Sequence, residues 1–137
     1  MGMSADKLSP EPPSGPSAVP KRGEVWWVNQ NPIIPNDPHL PRPVVIVSTN
    51  PRNKYWNSVI VVPLSTGLTN PYPAFHKFVP QGAGGLPQDS YARCDLVSNL
   101  EKSCLDTSGS LGPILSNKFL WEIIKGIRAA IGDNPDF

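Results

Sequence analysis

This sequence has little sulfur, little histidine and no long apolar run, and each shortage removes a class of function. Two cysteines, Cys94 and Cys104, are too few for a disulfide framework, and their spacing fits no zinc or redox motif. Two free thiols in a reducing compartment are expected. With only two histidines, His39 and His76, no cluster of metal-ligating side chains is apparent, so neither a metal nor another cofactor is expected. No segment reaches the length of a membrane-crossing helix, and the N-terminus lacks the charged and apolar regions of a secretory signal. A cytoplasmic protein without a membrane partner is the expectation. The glycine-rich residues 81–88 lack the Lys-Ser/Thr ending of a Walker phosphate loop. The formal charge is only +1, but residues 21–132 carry eleven Lys and Arg against seven Asp and Glu, the ends being acidic. Such a mildly basic body is compatible with a polyanion partner without arguing for one.

Proline, by contrast, is abundant, at 18 of 137 residues. Five of these fall in residues 1–20 among Ser, Gly and isolated apolar side chains, which bury too little surface to offset the entropy of ordering. The expected organisation is a disordered leader over 1–20, one folded domain over 21–132 and a short tail over 133–137. Five more prolines stiffen residues 29–43, a stretch without periodicity that holds Asp37 and His39. A connection of this length is usually functional or disordered, and imidazole, with an intrinsic pKa near 6.5, suits proton transfer.

Apolar patterning outlines the fold. Residues 23–28 read as a strand with Val25 and Trp27 on one side and Glu24 and Trp26 on the other, one Trp in the core and its neighbour on a partner surface. Residues 44–47 and 59–62 are β-branched runs, residues 74–80 and 89–97 alternate, and a short strand or bend follows at 103–111. Cys94 falls on the apolar side of its strand as a small core residue. Residues 116–131 form the one convincing helix, with Ser116 able to cap it, apolar residues at spacings of three and four, and Gly132 as its stop. The expected class is mainly β (α+β), a curled antiparallel sheet or small barrel of five or so strands closed by the helix.

The stretch from Arg42 to Thr66 places chemistry on this scaffold. Read as a hairpin whose loop centres near Arg52 or Lys54, it pairs residues whose numbers sum to roughly 106 to 108, so Arg42 returns beside Leu64, Ser65 and Thr66. Successive strand residues point to opposite faces, so only one hydroxyl can share the face of Arg42. An exposed Arg beside Ser and Thr is common on any surface, and the pattern alone does not make it a site.

Five segments in order, KRGEVWWVN, RPVVIVS, NSVIVVPLST, DSYARCDLVSNLEKSCL and the terminal helix ending in IG, resemble the PemK/MazF toxins of bacterial toxin–antitoxin systems. The resemblance spans residues 21–132. It implies an SH3-like barrel with a C-terminal helix and a homodimer. It further implies a metal-independent, sequence-selective endoribonuclease that cuts single-stranded RNA to a cyclic phosphate and a 5′-hydroxyl. A cognate antitoxin peptide would occupy the RNA groove. The family's catalytic Arg falls on Arg42, and its Thr position falls on Ser65 because this chain reads PLST, leaving Thr66 in reserve. The preceding loop departs from the family's GSEQxGxRP pattern and has no Glu, so acidic or histidine help would come from Asp37 or His39. By charge or stacking ability, Arg52, Lys54, Tyr55, Trp56, His76 and Lys77 are candidate substrate contacts.

RNA cleavage by its own 2′-hydroxyl needs orientation, charge stabilisation and proton movement rather than a protein nucleophile. Arg42 suits the charge term, since its pKa above ~12 makes a poor general base. Two other readings compete: a catalytically inactive nucleic-acid-binding relative, and a gyrase poison of the CcdB type, which shares the fold but acts through a Trp-Gly-Ile tail where this chain reads NPDF.

Overall fold

The computed structural model describes residues 18–133; the expected leader up to residue 17 and the tail from residue 134 lie outside the described residues. Seven strands form one antiparallel sheet: β1 (Val25–Val28), β2 (Arg42–Ile46), β3 (Ser58–Ser65), β4 (His76–Val79), β5 (Ser90–Arg93), β6 (Ser98–Glu101) and β7 (Leu105–Ser110). Their order is β4-β5-β3-β2-β1-β7, with β6 on the same edge of β3 as β5. Two helices complete the chain, α1 (Asn50–Tyr55) and α2 (Asn117–Ala130).

The sheet does not close into the expected barrel. Strands β6 and β7 both reach the core cluster around Val44 and Ile46, through Leu100 and Leu105, so the sheet curls. However, the 3-10 turn Lys102–Cys104 carries the chain straight from β6 into β7 without a ladder between them. The curl is bridged covalently rather than by strand hydrogen bonds.

Residues adjacent in sequence serve opposite cores. Val25, Val45, Val62 and Leu64 pack with Leu120 and Ile123 of α2, whereas Trp26, Val28, Val44, Ile46, Val59 and Val61 pack on the other side. Burial on both faces explains why β2 and β3 read as continuous apolar runs rather than alternating ones. It also shows which Trp is the core residue: Trp26 is 1% exposed, while Trp27 is only half-buried.

The central hairpin keeps its register, Val44 facing Pro63 and Ile46 facing Val61, but its connection is a helix. Pro51 sits in the first turn of α1, where a missing N–H costs nothing. Asn53, fully buried, ties the helix down by donating from Nδ2 to the Ser48 carbonyl at 3.0 Å. The strand expected over 89–97 stops at Arg93, because the 3-10 turn Cys94–Leu96 redirects the chain into β6.

Helix α2 packs as expected but starts differently. Ser116 is the N-cap residue, yet its side chain makes no capping bond; its carbonyl accepts from Phe119 and Leu120. A Cβ at Gly126 would stand 2.6 Å from Cys94 Sγ, so the helix seats against the turn after β5 only because position 126 has no side chain. Burial pushes the Cys94 thiol up to about 12, so it stays protonated and inert. Both cysteines are free. No helix among the described residues is long and apolar enough to cross a membrane.

Candidate active site

Arg42 opens β2 and Ser65 ends β3, and the antiparallel register brings them side by side. Arg42 Nη1 donates to Ser65 Oγ at 2.9 Å and to the Leu64 carbonyl at 2.9 Å. Thr66, one residue beyond the strand, is exposed and lines the cavity without entering this bond network.

The other side of the guanidinium is held by Asp37. Nε donates to Oδ2 at 2.5 Å and Nη2 to Oδ1 at 2.8 Å, a two-pronged fork. Asn31 Nδ2 donates to the same Oδ2 at 2.8 Å and the His39 backbone N–H to Oδ1 at 2.9 Å. Four of the five Arg42 N–H groups are therefore engaged, and the carboxylate accepts four bonds. Arg42 and Asp37 side chains are 8% and 0% exposed. The Arg42 guanidinium, helped by the His39 and Asn31 donors, holds the Asp37 carboxyl well below the usual carboxylate range despite its burial.

Loop 29–41 positions Asp37 by folding on itself. Asn31 Oδ1 accepts from the backbone N–H of Ile33 and Ile34 at 3.1 and 3.3 Å, and Asn29 Nδ2 donates to Asp106 Oδ1 at 2.9 Å. Asparagine side chains thus supply bonds that a strand partner would supply elsewhere.

In front of Arg42 lies an open cavity of about 340 Å³, lined among others by Trp27, His39, Ser65, Thr66, Ser90 and Arg93. The structure thus gathers Arg42, Asp37, Ser65, Thr66 and His39. It does not bring the remaining candidates there. Arg52, Lys54, Tyr55 and Trp56 lie on or just after α1, at the far end of β2 and β3, roughly 20 Å away along the strands. Arg52 donates to the Ser58 carbonyl at 2.9 Å and lies over the Trp56 ring at 5.7 Å. His76, on β4, accepts from the Tyr72 N–H at 2.8 Å and faces Asp95 at 3.5 Å. Lys77 points to α2, 3.8 Å from Glu122. Among the described residues no group of three or more His, Cys, Asp or Glu could hold a metal ion.

Arg93 was not anticipated. It was legible only as the off-core neighbour of Ala92 and Cys94, and nothing local tells that β5 pairs with the end of β3.

A curled antiparallel sheet with a terminal helix is the fold of several solved endoribonuclease and MazF structures. An endoribonuclease from Mycobacterial species is 26% identical, with a TM-score of 0.61 over 84% of this chain and 93% of that one. An endoribonuclease in complex with its cognate antitoxin, also from Mycobacterial species, is 25% identical, with a TM-score of 0.62 over 82% and 95%. MazF from Deinococcus radiodurans, at 20% identity, shares the fold with a TM-score of 0.68 over 85% and 99%. The comparison with curated proteins gives no match. Residues 21–131 match the family described as PemK-like, MazF-like toxin of type II toxin–antitoxin system. This chain belongs to that family.

Proposed function

We propose that this protein is a metal-independent, sequence-selective endoribonuclease toxin that cuts single-stranded RNA. The bond from Arg42 Nη1 to Ser65 Oγ, 2.9 Å at the mouth of the cavity, carries this reading. The 2′-oxygen attacks the adjacent phosphorus and loses its proton, the bond to the 5′-oxygen breaks, and that oxygen takes up a proton. The products are a cyclic phosphate and a 5′-hydroxyl. Arg42 stabilises the added negative charge of the phosphorane, and Ser65, which accepts from Arg42, keeps its own O–H free to donate to a phosphate oxygen.

The family match supports two partners, a cognate antitoxin segment over the cavity and a second copy of this chain. For the second copy, Ile114, Trp121 and Ile131 offer apolar surface, 49%, 53% and 69% exposed. Purified protein is expected to cut a long single-stranded RNA in EDTA and to run at twice the chain mass in light scattering. Cleavage that stops in EDTA and returns with a divalent metal would overturn the mechanism.

A second reading, an inactive RNA binder, is favoured by the fork of Asp37, which leaves Arg42 a single free N–H. The same assay separates the two, since a binder leaves the RNA intact.

The hydroxyls are distinguished by substitution. Ser65→Ala is expected to lower kcat by about 100-fold and Thr66→Val by no more than about threefold, because only Ser65 meets Arg42. A larger loss in Thr66→Val would reverse the assignment.

A further inference from the structure

In the cavity Arg42 is neutralised by Asp37; at the opposite end of β2 and β3 two cations lie together with no carboxylate to answer them. Arg52 is held by neutral acceptors only, the Ser58 carbonyl at 2.9 Å and Ser58 Oγ and Asn99 Oδ1 at 3.2 Å each. Lys102, in the turn after β6, is 7% exposed, and among the described residues no hydrogen bond or ion pair engages its ammonium. Burial and the neighbouring Arg52 charge hold its pKa below the usual lysine value. Glu101, next to it in the chain, forms no ion pair there either. An ammonium largely removed from water beside a second cation, without a counter-charge, is costly, so the pair needs a reason.

Two aromatic rings stand beside these charges. Tyr55 ends α1 and Trp56 follows it, 64% and 62% exposed, with Lys54 Nζ 5.4 Å from the Tyr55 centroid and the Arg52 guanidinium 5.7 Å from that of Trp56. Core burial, the ordinary use of such rings, does not account for them. Their support is firm: Asn53 anchors α1 to the Ser48 carbonyl, and the Lys102 N–H donates to the Asn57 carbonyl at 2.9 Å, which fixes the turn after β6 against the residue following Trp56. Two segments distant in the chain thus converge on one patch of cations and rings, roughly 20 Å from Ser65 along the strands.

We propose that Arg52, Lys102, Tyr55 and Trp56 form a platform for single-stranded RNA outside the cavity, which holds a flanking part of the substrate while Arg42 and Ser65 act on the scissile phosphate. The two cations take backbone phosphates, and the rings stack on unpaired bases. An acidic protein segment would answer the charge but leave the rings without planar partners; unpaired RNA supplies both. A strand of about 4 to 16 nucleotides, the usual span of single-strand sites, covers the distance to the cavity. The ammonium of Lys102 then finds its counter-charge in the ligand, and the unliganded protein bears its desolvation. The platform rests on the ribonuclease reading for its purpose, but not for its binding test.

The test compares Trp56→Ala and Lys102→Gln with the parent protein on non-cleavable 2′-O-methyl oligonucleotides of about 4 and about 16 nucleotides, followed by fluorescence anisotropy. The parent should bind the longer probe more tightly, and Trp56→Ala should lose roughly 10-fold of that gain, the effect of one stacked base. For Lys102→Gln the slope of log affinity against log salt should shrink by about 0.7, one single-strand phosphate. Photo-cross-linking of the longer probe carrying 4-thiouridine should mark the peptide that contains Tyr55 and Trp56. With cleavable long RNA, the loss in both variants should fall on KM rather than on kcat. Thermal unfolding checks the fold, and Lys102→Gln should melt no lower than the parent, because an uncompensated charge is gone. A gain with length that both variants keep overturns the platform and leaves the ribonuclease reading standing, as does a parent that binds both probes equally. Loss of the gain in the variants, without cleavage by any of the proteins, keeps the platform and removes that reading. Displacement of the longer probe from the patch by a poly-glutamate peptide at equal charge concentration would make it a protein-docking face and overturn the RNA assignment.

Discussion

Arg42→Ala is expected to lower RNA cleavage by about 1,000-fold, because it removes both the free N–H and the positive charge that face the phosphorane, and losing one such donor typically costs ~100- to 1,000-fold. The loss should fall on kcat rather than on KM, since the interaction strengthens as the phosphorane forms. The fold should survive, because the variant removes the charge that Asp37 balances, and loop 29–41 can return that carboxylate to water. Single-turnover cleavage with circular dichroism on the same sample checks both halves. Cleavage within about tenfold of the parent would remove Arg42 from the centre of the mechanism.

Asp37→Asn is expected to act on stability first. The pair is almost fully buried, so its charges gain from each other but have lost their hydration, and an intact pair contributes little net. Breaking it is different: Arg42 keeps its charge with its counter-charge and one of its four acceptors gone. The expected cost at pH 7 is about 3 kcal/mol, the low end for such changes because the loop can move aside and let water in. For a domain of this size that is about 10 °C in Tm. The pH dependence follows from the direction of the shift. The Asp37 pKa is lowered on folding, so its contribution is present above the unfolded carboxylate value near 3.9 and is lost as pH falls below it. Parent and variant should therefore converge between about pH 4 and pH 2. A gap unchanged across that range would mean that the charge of Asp37 is not what stabilises the loop. The same substitution should tighten RNA binding, because the carboxylate occupies the two-pronged face of Arg42 that a phosphate would take.

These expectations also locate the division of labour in the site. The sequence offers Asp37, with His39, as the source of acidic or histidine help in a loop without Glu, yet its carboxylate is spent on Arg42, Asn31 and the His39 backbone. Its bearing on RNA is indirect, through the orientation and charge of Arg42. His39 remains at the cavity wall, exposed, with its backbone tied to Asp37.

The sequence by itself determined the hairpin register to within a residue, and with it the return of Arg42 beside Leu64, Ser65 and Thr66, because paired β-branched runs allow only a narrow range of pairings; that Ser65 is the hydroxyl bonded to Arg42 was decided by the fold. It determined α2 as well, whose apolar stripe is a local, 3.6-residue signal. What it left open were contacts between segments distant in the chain. The opposite burial of Trp26 and Val25 requires two cores, one of them completed by Leu100 and Leu105 some 75 residues later. The gap between β6 and β7 depends on one 3-10 turn that no periodicity announces. The fork of Asp37 on Arg42 depends on a proline-rich loop held by side-chain bonds rather than by a repeating pattern. Arg93 reaches the cavity only because β5 pairs with the last two residues of β3. Local propensity and period act over a few residues, whereas these placements follow from which strand edges meet, and that is decided by tertiary packing.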